Sequence, residues 1–379
     1  VKVISSARER AFDPETTVQP QPVHAAAGSA ALEVAADAGK LAAPRNVLLT
    51  TPVPNQKTAW TKARMDVMQQ LRSEGYELLD LPTSASPGEW LRLFRRMREV
   101  LNGAGHILIE YPFEQRKRAY IVALMSLLNG VKMYALIHDL NSLRYADAQP
   151  SRELHILKLF DGVVSHNPAM TRWLRKRGFH GRVVDLDLFD YRSKPGPAWH
   201  ESGMGPILKV LSAGNMSVTK AAYIYDPRLA QLPNVHMSLY GAFFEPERAP
   251  ALAANYKGAF DPDAPVLDGP HHFGLVWDGE GVDTCSGAYG EYMRYNNPHK
   301  LSLYVSMGLP VIVWKHAAIA EAVKRWGIGV VVEDLRELSQ LPSRISSDDY
   351  RQMVANVLPL RDAVSRGTFL RLALRRLTR

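Results

Sequence analysis

Among 379 residues there is a single cysteine, Cys285, which excludes an internal disulfide and fits a reducing compartment. No run of 18 apolar residues occurs, so nothing in the chain reads as a membrane span. Residues 1–11 lack the apolar stretch of a secretory leader. The location expected from these absences is cytoplasmic. No Gly-x-x-x-x-Gly-Lys-Ser/Thr loop is present, which argues against a P-loop ATPase. No Gly-x-Gly-x-x-Gly follows the first strand candidate, which argues against a nicotinamide enzyme. His271-His272 comes without cysteine or carboxylate ligands at metal spacing, so it reads as a surface pair and no metal is expected.

What is present is length, apolar content and positive charge. With 46% hydrophobic residues the chain can bury two cores. Its formal charge of +8 favours anionic partners such as nucleotide phosphates, anionic lipid or nucleic acid. Nucleic acid calls for a basic patch interleaved with aromatics. The arginines here fall in amphipathic helices instead (Arg92, Arg95, Arg96 and Arg98; Arg116, Lys117 and Arg118; Arg371, Arg375, Arg376 and Arg379). Such faces suit an anionic membrane surface, so peripheral attachment is expected and nucleic acid is not.

The order of elements predicts an α/β fold. Residues 1–44, rich in Ala, Pro and Gln, read as a low-complexity, partly disordered tail. From 45 to 191 strands and helices alternate strictly, as in a doubly wound parallel sheet. Within it, Leu91, Phe94, Met97 and Leu101 mark the inner face of a helix over 87–101. A Pro-, Gly- and Ser-bearing linker is expected over 192–205. A second alternating series follows over 206–345, including a helix over 220–229, and closing helices over 346–379.

The most informative stretch runs from Tyr295 to Trp314. Asn297 suits an N-cap and Pro298 the first helical position. Leu301, Tyr304, Val305 and Gly308 recur at helical spacing, and Leu309–Trp314 reads as a buried strand. A helix start carries unpaired N–H groups and partial positive charge, and Lys300 adds a full charge in the first turn. Together these suit an anion, most simply a phosphate. Other polar residues follow strand candidates, where ligands bind in open parallel sheets: His138 and Asp139, Gly214 and Asn215, Asp278 and Gly279.

Asn-Asn-Pro-His-Lys-Leu-Ser-Leu-Tyr followed by Gly-Leu-Pro-Val-Ile-Val-Trp resembles the donor-site signature of a bacterial glycosyltransferase family. That family includes β-1,6-galactofuranosyltransferases and the glucosyltransferases that extend glycans on serine-rich adhesins. Further matches are Ile137-His138-Asp139 with Arg144, Gly214-Asn215 with Lys220, Asn255-Tyr256, and Phe273–Gly279; Gln56, Thr58 and Asp66 match loosely. An extra segment, Gly279–Gly290, precedes the signature and reads as a lid or a disordered insertion.

The resemblance implies a GT-B fold, two Rossmann-like domains facing across a cleft, with an acceptor domain over 45–191 and a nucleotide-sugar domain over 206–345. It implies transfer of a hexosyl unit, galactofuranose or glucose, from a UDP-sugar to a glycan or lipid-linked glycan hydroxyl, inverting and without a metal or cofactor. By this likeness Lys300 and Lys220 neutralise the diphosphate, Tyr256 contacts the nucleotide, and Thr58 approaches from the opposite domain. Asn215, Asn296, Asn297 and Ser302 complete the donor contacts. Asp139 is the candidate base, with His138 or Glu110 as rivals. A homo-oligomer is compatible with it. The alternative is a non-catalytic nucleotide-sugar or nucleic-acid binding protein on the same scaffold.

Overall fold

Short β-branched runs alternate with amphipathic helices, and the computed structural model assembles them into two parallel sheets. It describes residues 46–379 apart from 52–58, 83–85, 102–104, 113–115, 146–147, 195–197 and 202. The expected tail over 1–44, Gln56 and Thr58 therefore lie outside the described residues.

The first sheet holds β1 (Val47–Thr50), β2 (Glu77–Asp80), β3 (His106–Tyr111), β4 (Lys132–Ile137), β5 (Gly162–Ser165) and β6 (Arg182–Asp185). Their order is β2-β1-β3-β4-β5-β6. The second holds β7 (Leu208–Asn215), β8 (Val235–Ala242), β9 (Phe273–Val276), β10 (Val311–Trp314) and β11 (Gly329–Val332), ordered β11-β10-β9-β7-β8. Every pairing is parallel. The inner strands are covered on both faces, which is why they read as unbroken apolar runs. Strand order reverses between β1 and β3 in one sheet and between β7 and β9 in the other. Each reversal opens a crevice at the carboxyl ends of the strands, the place where such sheets take ligands.

Several expected elements shift for local reasons. The helix expected over 220–229 breaks into Val218–Ala221, a 3₁₀ turn over Ala222–Tyr225, and Pro227–Ala230. Pro227 has no N–H to continue the helix, and Asp226 caps the new start by accepting from the Arg228 N–H. The Pro87–Leu101 helix buries Leu93, Met97, Val100 and Leu101, whereas Leu91, expected inside, is exposed. Arg118, expected on a basic surface face, is buried. The His271-His272 pair is also buried: Lys209 N–H donates to His272 Nδ1 at 2.9 Å, and burial lowers both imidazole pKa values to about 4.

The last helix, Thr368–Thr378, lies on the first sheet. Its Leu370, Ala373, Leu374 and Leu377 pack with Leu48, Leu71, Leu136 and Val164. Gly162 makes room for it, since a Cβ there would sit 3.0 Å from Leu377 Cδ1. Four polar contacts anchor its start. Gln70 Nε2 donates to Gly367 O at 2.6 Å, Arg371 pairs with Glu74 at 3.0 Å, and Asp190 accepts from the Phe369 and Leu370 N–H groups at 3.1 and 2.8 Å.

Burial pushes the Asp190 carboxyl up to about 7 against those two favourable bonds. The folded state then holds a proton that the unfolded chain releases near pH 4, so this group makes stability fall as pH rises from about 4 to about 7. Asp190→Asn removes that titration. Its melting temperature relative to the parent is expected to rise between about pH 4 and about pH 7, measured by thermal unfolding at each pH.

Candidate active site

The site is built on the helix His299–Ser306, which follows the Asn-Asn-Pro turn. Tyr304 docks that helix on the second sheet. A Cβ on Gly274 would fall 2.2 Å from the Tyr304 ring, so the ring occupies space that only glycine leaves. The Tyr304 hydroxyl donates to Leu275 O at 3.2 Å and accepts from the Ala213 N–H at 2.8 Å. Lys300 lies four residues earlier on the same face. Its Nζ donates to Trp277 O at 2.9 Å and to Asp278 Oδ1 at 2.7 Å. Gly214, with φ of 125°, passes so close that a Cβ would meet Lys300 Cε at 3.3 Å. Burial opposes the charge on Lys300, but the Asp278 carboxylate outweighs it, and the ammonium is held above its ordinary pKa.

Lys220 reaches the other oxygen of Asp278 at 3.8 Å and remains a quarter exposed. Two lysines thus share one carboxylate in the β7/β9 crevice, leaving one net positive charge. Lys220 also stands 5.7 Å over the Tyr289 ring, and Arg144 of the first domain lies 5.4 Å over the same ring. Arg144 pairs with Asp139 at 2.6 Å. Asp139, Arg144, Tyr289, Lys220, Asp278 and Lys300 therefore form one continuous polar chain across the two domains. Tyr289 comes from the segment expected to be a lid or disordered insertion. That segment is folded and is not a disordered insertion: Gly279 N–H donates to Lys220 O at 2.8 Å, Trp277 Nε1 donates to Gly281 O at 3.0 Å, and a helix runs over Gly287–Tyr292.

Asn297 does not cap the helix as expected; Pro298 holds that position and no side chain caps it. Asn297 is consumed in joining the domains. Its Nδ2 donates to His166 O at 2.6 Å and to Asp187 O at 2.9 Å. Its Oδ1 accepts from Asn167 Nδ2 at 2.8 Å. Its backbone N–H donates to His166 Nδ1 at 3.0 Å, which leaves Nε2 of that ring to donate to Ile137 O at 3.0 Å. Burial lowers the His166 pKa to about 3, so the ring is neutral and its tautomer is fixed by these two bonds. The Phe189 ring packs between His166 and His299, with centroids 4.9 and 4.6 Å away.

The remaining candidates scatter. Asn215 stands exposed at the end of β7, its Oδ1 accepting from the Ser217 N–H at 2.9 Å. The Tyr256 hydroxyl donates to Gly241 O at 2.8 Å, and its ring lies 4.8 Å from that of Phe244. Asn296 is half-buried with its Oδ1 unpartnered among the described residues, and Ser302 is buried. Asp66 is buried against Lys62 at 2.6 Å, so it serves the fold. Glu110 sits in the β1/β3 crevice with both oxygens engaged. His138 Nε2 lies 3.1 Å from Oε1, while Thr50 and Arg64 donate to Oε2 at 3.0 and 3.2 Å. Burial works against its charge, but these bonds prevail and keep the carboxyl below its usual range. Glu110 and His138 thus satisfy each other, leaving Asp139 as the partly exposed acid of the three. The sequence reading missed Tyr289, Asn167 and His166, each of which acts through partners distant in the chain.

Two parallel, doubly wound α/β sheets with crevices at their strand ends make the GT-B fold, which the solved structures named below share. The chain matches the family description "Glucosyltransferase 3-like, N-terminal domain" over residues 46–188 and "Glucosyltransferase 3-like, C-terminal domain" over residues 210–377. It belongs to this family and is a glycosyltransferase. It is 33% identical over 255 residues to the beta-1,6-galactofuranosyltransferase WbbI of Escherichia coli K12, covering 66% of this chain and 73% of that one. It is 28% identical over 155 residues to glucosyltransferase 3 of Streptococcus gordonii, covering 41% of each. Among solved structures, a sucrose-phosphate synthase from Thermosynechococcus elongatus shares the fold with a TM-score of 0.57 at 14% identity, over 88% of this chain and 97% of the other. The Anabaena protein Alr3699/HepE, solved with UDP, shares it with a TM-score of 0.56 at 14% identity, over 88% and 98%.

Replacing Asn297 by alanine strands one N–H of the Asn167 amide, whose nitrogen also donates to Tyr295 O, and the carbonyls of His166 and Asp187 in a buried junction. The expected cost is about 2–3 kcal/mol of stability, seen as a lower midpoint in urea unfolding. An unchanged midpoint would show that the domains are joined by other contacts.

Proposed function

We propose that the enzyme transfers a hexosyl unit from a UDP-sugar to a hydroxyl of a glycan or lipid-linked glycan in surface polysaccharide or glycoprotein assembly. The observation that carries this reading is the Lys300–Asp278–Lys220 cluster in the β7/β9 crevice. Lys300 is held charged before any ligand arrives, and Lys220 is exposed enough to turn toward an anion. As the bond from the anomeric carbon to the diphosphate oxygen breaks, negative charge grows on the leaving UDP. Cations fixed in advance stabilise it without solvent rearrangement, so the reading needs no divalent metal. The acceptor oxygen forms the new bond from the opposite face, with inversion, and its proton passes to Asp139. Arg144 orients that carboxylate at 2.6 Å. Tyr256 is proposed for the nucleotide, Asn215, Asn296 and Ser302 for further donor contacts, and Thr58 for the diphosphate or the sugar.

Of the two sugars, galactofuranose is supported by the longer and closer match to the galactofuranosyltransferase relative. Glucose is the competing donor.

UDP at about 100 times its Kd should stabilise the protein by about 2.7 kcal/mol, read as a higher melting temperature. Lys300→Met should abolish the shift, and Lys220→Met should reduce it. A shift that survives Lys300→Met removes the cluster from the site. Turnover assays with UDP-galactofuranose and UDP-glucose then decide the donor, and binding of both with turnover of neither rejects the transferase reading.

A further inference from the structure

The Arg116–Asn129 helix is apolar on two opposite sides, a pattern expected of a helix covered all round. One side, with Ala119, Val122 and Met125, packs into the core of the first domain. The other is uncovered: Tyr120, Leu124, Leu127 and Leu128 fall at helical spacing and are 44%, 55%, 76% and 65% exposed. Four large apolar side chains in one ridge are more than the scattered apolar exposure of an ordinary surface.

Its flanks are basic. On one side lies the Pro87–Leu101 helix, with Arg92, Arg95 and Arg98 exposed, and with Leu91 also 48% exposed. On the other lies the Pro150–Leu157 helix. Between it and the ridge runs a shallow groove lined by Tyr120, Ser151, Arg152 and His155, and the Tyr120 and His155 rings are 6.2 Å apart. Lys158 extends the basic border, and Glu99, an acid on this surface, is paired with Arg96 at 3.2 Å.

We infer that this face is a docking surface for an anionic lipid bilayer, with the leucine ridge entering the acyl boundary and the flanking arginines meeting the headgroups. Charge decides the occupant. A second copy of the chain seated symmetrically on the ridge would bring the two sets of arginines together, whereas an anionic bilayer complements ridge and flanks at once. The sequence reading placed lipid contact on arginine faces alone. The structure adds the apolar element and removes Arg118, which is buried, and Arg371, which is paired with Glu74. The face is formed by helices of the first domain and shares no residue with the proposed donor site, so the test reads sedimentation and not turnover.

The test is co-sedimentation of the full chain with vesicles of phosphatidylcholine, with and without about 30% phosphatidylglycerol, at low and high salt. Binding is expected only with phosphatidylglycerol and is expected to weaken with salt. A Leu127→Glu/Leu128→Glu variant should lose at least about tenfold in partitioning while keeping the parent's melting temperature, since both side chains are solvent-exposed. Arg92→Gln/Arg95→Gln/Arg98→Gln should lose a similar amount and flatten the salt dependence. The inference is overturned if the parent stays in the supernatant, or if the leucine variant partitions as the parent does. It is also overturned if sedimentation velocity shows a parent dimer that the leucine variant abolishes, which would assign the ridge to a second copy.

Discussion

The buried ion pair of Lys300 and Asp278 sets the arrangement of the second domain's strand ends. A lysine on a helix that packs against a sheet would lose its proton to desolvation unless a counter-charge met it. Asp278, two residues beyond the end of β9, supplies that charge at 2.7 Å. The pair is reached only because the helix sits close to the sheet, and it sits close because Gly274 and Gly214 have no side chains where Tyr304 and Lys300 pass. The glycines, the tyrosine and the pair are therefore one device. A methyl group at Gly274 would move the whole helix, and with it the charge.

The same short stretch also joins the two domains. Asn297 and Lys300 are three residues apart, yet one faces the first domain and the other the second. Asn297 is held by His166, Asn167 and Asp187. Asp187 offers its carbonyl from a left-handed conformation with φ of 69°, uncommon for a residue with a side chain and most readily adopted by Asn and Asp among them. A rotation between the domains must therefore strain this junction or break it, and either would move the first turn that carries Lys300. Cleft geometry and charge placement are coupled through three residues of backbone.

This explains what could and could not be read from the sequence. Parallel α/β architecture was legible because inner strands such as β9 and β10 are covered on both faces and so are continuously apolar. That Lys300 needs a partner was legible because a basic residue in a first helical turn is unfavourable unless something answers it. The answer itself was not legible. Asp278 is 22 residues away in the chain, and nothing local says that its carboxylate turns toward this lysine. Asn297 misled for the opposite reason. Its local pattern is that of a cap, and only the approach of His166, 131 residues away, turns its amide to another use. Leu91 misled because helical spacing identifies an apolar stripe without saying whether a neighbour covers it. The same limit hid the ridge on the Arg116–Asn129 helix.

A carboxylate in a site proposed to hold a diphosphate needs a physical reason. Without Asp278, Lys300 would be a buried cation with only the Trp277 carbonyl to receive it, and Lys220 would add like charge nearby. Burial would then favour the neutral amine, and the site would lose the charge it needs. With Asp278, Lys300 stays protonated, but most of its charge is already answered. An incoming diphosphate can draw on Lys220, which is more exposed and holds Asp278 at the longer distance of 3.8 Å, only while Lys300 keeps Asp278 answered. The two lysines thus divide the work. On the proposed reading the buried one maintains the electrostatic frame, and the outer one exchanges partners between Asp278 and the diphosphate. On that reading such an exchange would also limit how tightly a product diphosphate is held, because Asp278 would compete for the same ammonium once the sugar has left.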